Sequence, residues 1–84
     1  MKKISQAVSI LNQIAEDRTV PRNIRESIHF SKIRLVDDKE EENIRIDATI
    51  QVLDEITSDP NLPIYTRTQI WNIVSLLESC LRRQ

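Results

Sequence analysis

The chain of 84 residues contains no glycine, one cysteine, one histidine and one each of phenylalanine, tyrosine and tryptophan. The absence of glycine excludes Gly-rich phosphate-binding loops and Asn-Gly hairpin turns, and it removes the usual left-handed cap of helices. A single cysteine excludes an internal disulfide, and a single histidine leaves a zinc site without its partners. No apolar run approaches the roughly 20 residues needed to cross a bilayer. We therefore expect a cytoplasmic, all-helical protein with no cofactor, no metal and no membrane association.

A repeat with a period of 42 residues organises the sequence. The shift aligns eight identical pairs: Ile4/Ile46, Leu11/Leu53, Ile14/Ile56, Asp17/Asp59, Pro21/Pro63, Arg25/Arg67, Ile28/Ile70 and Leu35/Leu77. Self-similarity of this kind marks supersecondary units that need a neighbour to bury their apolar faces. The prediction is one all-α domain, a four-helix bundle built from two repeated helical hairpins. Repeat 1 covers about 1–36, an acidic linker 37–42 and repeat 2 about 43–84.

Apolar residues recur at helical spacing in four segments, about 2–16, 21–36, 42–58 and 63–82. This spacing predicts four amphipathic helices, each with one inner stripe. The stripes centre on Leu11, Ile28, Leu53 and Ile70. Pro21 and Pro63 suit first helical positions, where the missing N–H costs nothing. The fourth segment is the most apolar, so we expect it at the centre of the bundle.

Charge divides the chain in two. Residues 1–36 carry seven Lys/Arg against three Asp/Glu, and residues 37–84 carry five against ten. Such halves either attract each other within the fold or favour head-to-tail association of copies. The acidic run 37–42 is interpreted as a solvated linker whose acids favour the N-terminus of the third helix. The alternative, a carboxylate metal site, lacks the alternating ligands and turn glycine of a calcium loop.

Asp17 and Arg25 recur as Asp59 and Arg67, with the acid at the end of one helix and the arginine in the next. We predict a structural clasp that fixes the hairpin angle. It would consist of an Asp–Arg hydrogen bond or of arginine capping of turn carbonyls. The alternative is a pair of anion-binding arginines at helix N-termini. A hidden enzyme would have to use the same four residues, and we expect no catalytic activity.

The second predicted helix has a further apolar stripe, Phe30 and Ile33, that is turned away from its inner stripe. A helix with two apolar faces either lies between two neighbours or presents one face to another molecule. Together with Trp71 and Leu76 of the fourth helix, these residues form a predicted interface. The predicted function is therefore a helical protein-interaction module that associates with itself or with another protein.

Basic residues in and before the second helix give an alternative function. Arg18, Arg22 and Arg25 could contact the phosphates of a nucleic acid or ribonucleoprotein. The chain is not basic overall, so a solvated face is the simpler interpretation. His29 is interpreted as a packing or surface residue, and Cys80 as a small apolar filler.

Several of these motifs also resemble a known family. They are Thr19-Val20-Pro21-Arg22-Asn23-Ile24-Arg25, Leu53-Asp54-Glu55-Ile56, Asp59-Pro60-Asn61-Leu62-Pro63, Arg67, and Ile70-Trp71-Asn72-Ile73-Val74-Ser75. They are similar to the small archaeal uncharacterised protein family numbered 0147, over nearly the whole chain. The resemblance implies an all-helical four-helix bundle and an archaeal source. It implies no activity, no small-molecule substrate and no catalytic residues.

Overall fold

The computed structural model describes residues 2–81, and all regular structure in that part is α-helical. The helices are α1 (Lys2–Ala15), α2 (Arg22–Val36), α3 (Glu42–Thr57) and α4 (Ile64–Cys80). The predicted all-helical fold with four helices is confirmed, because no strand occurs between residues 2 and 81. The predicted end of the fourth helix at residue 82 lies outside the described residues.

The four helices form a closed ring in which each packs against two others, in the order α1, α2, α3, α4. Gln13 near the end of α1 meets Gln69 in the first half of α4, with Oε1 and Nε2 3.5 Å apart, so these two helices are antiparallel. The prediction that α4 lies at the centre is wrong, because α4 has two neighbours like the other helices. Its additional large apolar side chains, Ile64, Tyr65 and Trp71, lie on the surface instead.

The core is one cluster of aliphatic side chains from all four helices and from two connections. Its fully buried members on the helices are Ala7, Leu11, Ile14, Ile28, Leu35, Ile46, Leu53, Ile70, Ile73 and Leu77. The predicted stripes supply these residues, and burying each large one contributes about 1.5–3 kcal/mol before the cost of ordering the chain. Val20 and Leu62 in the connections are also buried, which helical periodicity did not predict.

Pro21 and Pro63 are the N-caps of α2 and α4, one residue before the positions predicted for them. Their ψ angles of 144° and 145° are extended, and their carbonyls accept the backbone N–H groups of Arg25 and Arg67. None of the described residues has a positive φ. The helices therefore end without the left-handed cap that satisfies the last carbonyls in many proteins.

Candidate interaction surfaces

All three connections between helices contain the same aspartate turn. In each, an aspartate Oδ1 accepts the backbone N–H two residues later: Asp17 from Thr19 at 2.9 Å, Asp37 from Lys39 at 3.0 Å, and Asp59 from Asn61 at 2.8 Å. A side chain of this kind takes the place of a backbone acceptor and turns the chain. The connection at Asp37, interpreted from sequence as a solvated acidic linker, therefore has the same local structure as the other two.

Each of these aspartates is followed eight residues later by an arginine that donates to carbonyl oxygens. Arg45 reaches back to the last turn of α2, donating from NH1 to Leu35 O at 2.7 Å and from Nε to Glu40 O at 3.0 Å. Leu35 O is one of the last carbonyls of α2, to which no backbone N–H of the helix donates. The guanidinium satisfies this carbonyl and places a positive charge at the negative end of the helix dipole.

Arg67 repeats this arrangement at the next connection. It donates from NH1 to Thr57 O, at the end of α3, at 2.9 Å, and from NH2 to Asp59 O at 2.8 Å. Arg25 forms one such hydrogen bond instead of two, from Nε to Val20 O at 3.1 Å. Two forms of the clasp were predicted from sequence, an Asp–Arg hydrogen bond and arginine capping of turn carbonyls. The observed contacts correspond to the second form.

The aspartate carboxylates, in contrast, accept hydrogen bonds from within their own turns. The Asp17 carboxylate accepts the Thr19 hydroxyl at 2.6 Å as well as the Thr19 N–H. The Thr19 hydroxyl and then the Thr19 N–H are the main causes that hold the pKa of Asp17 below its usual value, and the charge of Arg25 adds a smaller effect. Between residues 2 and 81, the ion pairs within 4.0 Å are Arg22 with Glu26 and Arg34 with Glu40.

The four predicted interface residues do not form one surface. Phe30 and Ile33 on α2 are 66% and 47% exposed, and Trp71 on α4 is 60% exposed. Leu76 is half-buried against the core and lines a groove between α1 and α4 with Ile10. Leu76 follows Trp71 by five positions, which is about 140° around a helix. Trp71 and Leu76 therefore lie on different sides of α4.

Further large apolar side chains are exposed at positions that the sequence analysis did not single out for an interface. They are Val36, Ile44, Ile64 and Tyr65, and Ile64 is the most exposed at 83%. Ile64 and Trp71 are seven residues apart, which places them two turns apart on one face of α4. The seven-residue spacing of Ile64 and Trp71 therefore indicated, in the sequence alone, that they share a helix face.

Phe30 lies on a ridge of α2 between two grooves. The groove against α1 has a volume of about 450 Å³, and the groove against α3 has about 300 Å³. The first is lined by Arg22, Arg25, Lys32 and His29, together with Glu16, Glu26, Asn12, Ala15 and Phe30 itself. Two predicted nucleic-acid residues, Arg22 and Arg25, thus line one groove with two carboxylates, whereas Arg18 is exposed in the connection and does not line it.

Other chemistry is sparse in the described part of the chain. Residues 2–81 contain no group of three or more His, Cys, Asp or Glu that could hold a metal ion. Cys80 is a free, half-buried thiol that packs against the core. The ring of His29 meets that of Phe30 edge to face, with centroids 5.7 Å apart. Among the described helices, none has the length and apolar character of a membrane span.

Comparison with known proteins identifies several relatives. The sequence pattern of the uncharacterised protein family UPF0147 matches residues 1–80. The UPF0147 protein of Methanocaldococcus jannaschii is 49% identical over 69 residues, which are 82% of this chain and 74% of the relative. A crystal structure from the same family, from Thermoplasma acidophilum, has a TM-score of 0.89 and 32% identity, covering 93% of this chain and 92% of that one. A second crystal structure, of a protein of unknown function, has a TM-score of 0.88 and 47% identity, covering 96% and 91%. The family resemblance predicted from the sequence motifs is confirmed, including its archaeal relatives.

Proposed function

We propose that this chain, which belongs to the uncharacterised protein family UPF0147, is a non-enzymatic cytoplasmic interaction module that associates with copies of itself. The observation that carries the proposal is the set of large apolar side chains on its surface. The exposed ones are Phe30, Ile33, Val36, Ile44, Ile64, Tyr65 and Trp71. Two pairs of them share a helix face, Phe30 with Ile33 on α2 and Ile64 with Trp71 on α4, and grouped exposed apolar residues, aromatic ones in particular, mark interaction sites.

The size of the domain supports the same proposal. A chain of 84 residues buries a smaller share of its surface on folding than a larger domain does, so its stability margin is small. Association that buries Phe30 or Trp71 adds to the stability of the folded state by mass action. An aromatic side chain offers up to about 150–250 Å² for burial. Self-association would therefore explain why these aromatic side chains are exposed on the single chain.

Sedimentation velocity over a range of protein concentrations tests the proposal. We expect the wild-type chain to shift from monomer to larger species as concentration rises, and Phe30→Glu to remove the shift. Ser5→Glu adds the same charge at an exposed position on α1 and serves as the matched control. A wild-type chain that stays monomeric at the highest soluble concentration would refute self-association.

A second candidate function is binding of single-stranded nucleic acid in the groove between α1 and α2. Arg22 and Lys32 would contact phosphates, and Phe30 and His29 at the same groove would stack on bases. Arg22 is paired with Glu26 at 4.0 Å, which lowers the positive potential of this site. The apolar surfaces therefore support self-association better than this groove supports nucleic-acid binding.

Fluorescence anisotropy with a labelled single-stranded RNA tests the second candidate. Binding is expected at low salt, with an affinity that falls as salt rises. Arg22→Glu should abolish it, whereas Lys39→Glu, an exposed change in another connection, should have a smaller effect. Absence of binding at low salt eliminates this function.

We also propose that the fold is a duplicated hairpin, as the 42-residue repeat predicts. In support, the first and third connections share their aspartate turn, their proline N-cap and their arginine donor. Replacing residues 17–21 with the sequence of residues 59–63 should then change the free energy of unfolding by less than about 1 kcal/mol. A larger loss in a urea titration would show that the two connections are not equivalent.

A further inference from the structure

We infer that copies of this chain associate head to tail, through two different faces with opposite charge. The ridge of α2 on one copy would dock against a face formed by α3 and α4 of the next copy. This inference rests on the self-association proposed above and specifies its geometry. It is carried by the placement of charged residues around the exposed aromatic side chains.

The α2 ridge, formed by Phe30 and Ile33, has basic residues on both flanks. Lys32 lines the groove towards α1, and Arg34 lines the groove towards α3. The helix as a whole contains four Lys/Arg and one Glu. The exposed apolar residues of α2 therefore lie on a helix of net positive charge, in which Arg22 pairs with Glu26 and Arg34 pairs with Glu40 of the following connection.

The flank of α3 that faces α4 is acidic. Arg45 donates to a carbonyl of α2, and Val52, seven residues later, lines the groove with α2, so these two residues mark the flank towards α2. Asp47 and Asp54 each follow them by two residues, which is about 200° around the helix. Both carboxylates thus lie on the opposite flank, towards α4. In the described part of the chain, neither forms an ion pair within 4.0 Å.

Trp71 lies on the side of α4 that faces this acidic flank. Arg67 donates to carbonyls at the end of α3 and in the connection that follows, so it marks the flank of α4 towards α3. Trp71 is one turn further along the same side, and Ile64 is two turns before Trp71. We call this the Trp71 face, formed by Ile64, Trp71, Asp47 and Asp54.

Charge decides between the ways of pairing these faces. Two α2 ridges placed together would bring two helices of net positive charge into contact. Two Trp71 faces placed together would bring the acidic flanks of two copies of α3, each with four Asp/Glu and one Arg, close to each other. Like charges across an interface disfavour binding, whereas opposite charges attract and orient the partners. A contact between different faces leaves one of each unpaired on the outer copies, so it continues into a ring or a filament.

Mixing two blocked variants tests this arrangement directly. Phe30→Glu blocks the α2 ridge and leaves the Trp71 face intact, and Trp71→Glu does the reverse. Each substitution is at an exposed site, and circular dichroism would verify that both variants fold. We expect each variant alone to be monomeric and the equimolar mixture to form a one-to-one dimer, because the mixture contains one intact copy of each face.

The outcomes separate the two proposals. If the wild-type chain never associates, the proposed self-association itself fails. If the wild-type chain associates but the mixture does not restore a dimer, or if either variant still dimerises alone, self-association stands and the head-to-tail geometry is overturned. The last result would indicate a symmetric contact through the face that the variant retains.

A charge exchange provides an independent measurement on the same interface. Lys32→Glu and Asp54→Lys should each weaken association of the chain at least roughly tenfold, which is about 1.4 kcal/mol. The chain carrying both substitutions should recover most of the lost affinity, since every interface then pairs a new acid with a new base. If the fold loss of affinity in the double variant equals the product of the two single losses, the two faces are not partners.

Discussion

Replacing Arg45 with methionine tests the main structural claim about the connections between helices. Methionine keeps the apolar stem and most of the length of the side chain but removes its donors. Two carbonyl oxygens, those of Leu35 and Glu40, then lose the guanidinium that lies 2.7 and 3.0 Å from them. None of the described residues has a positive φ, so no left-handed cap supplies a donor in place of this guanidinium.

The expected loss follows from the number of hydrogen bonds. A hydrogen bond that involves a charged group contributes about 1.5–3 kcal/mol when it is well desolvated. Arg45 is half-buried, so we expect Arg45→Met to lower the free energy of unfolding by about 2–4 kcal/mol for its two bonds. Arg67→Met should cost a similar amount. Arg25, with its single bond to Val20 O, should cost about half as much.

Urea titration followed by circular dichroism measures these losses, and thermal unfolding should show a fall in Tm of roughly 10–25 °C for Arg45→Met. The measurements belong at low protein concentration, because self-association raises apparent stability. Arg22→Met is the matched control. Arg22 is exposed and makes a 4.0 Å ion pair, so its replacement should cost at most about 0.5 kcal/mol. If Arg45→Met costs no more than Arg22→Met, the arginine-on-carbonyl contacts do not stabilise the fold.

Three further predictions concern the core and the turns. Leu53→Ala, at a fully buried site, should lower the free energy of unfolding by about 2–5 kcal/mol, and a loss under about 1 kcal/mol in urea would contradict its place in the core. Thr66→Val should be neutral or stabilising by up to about 1 kcal/mol, because the buried Thr66 hydroxyl has no partner among the described residues. The same change at Thr49, whose hydroxyl donates to Arg45 O, should be less favourable. The pKa of Asp17 is lowered in the folded state, so its contribution to stability is complete above its unfolded pKa and is lost as pH falls through the folded value. In an NMR titration Thr19→Val should raise that pKa towards the usual range, and an unchanged pKa would show that the hydroxyl is not its main cause.

Helical periodicity predicted most of the core, because each helix buries one stripe against its neighbours. Leu11, Leu53 and Ile70 were identified in this way and are fully buried. The same approach missed Val20 and Leu62, since periodicity carries no information beyond the end of a helix. Their burial depends on how each connection folds back over the end of the bundle, which is a tertiary effect.

The sequence repeat was informative but incomplete. A shift of 42 residues compares the first connection with the third and never tests the second, so the match of Asp37 and Arg45 to the other pairs was missed. The acidic composition of residues 37–42 also favoured an interpretation as a solvated linker. The signal that would have identified the second copy is an aspartate followed eight residues later by an arginine, which marks all three connections.

The three connection arginines change how the charge of the chain relates to its function. Counted from the sequence, Arg25 adds to a basic helix that could bind phosphates, but in the structure its Nε donates to Val20 O. Arg45 and Arg67 likewise donate to carbonyls, which holds their guanidinium groups at the ends of α2 and α3. The charges left for a partner are therefore Lys32 beside Phe30 and the carboxylates of Asp47 and Asp54 on the flank of α3 beside Trp71. This pattern fits a second copy of the same chain better than a polyanion, because each copy then supplies the charge that the other requires.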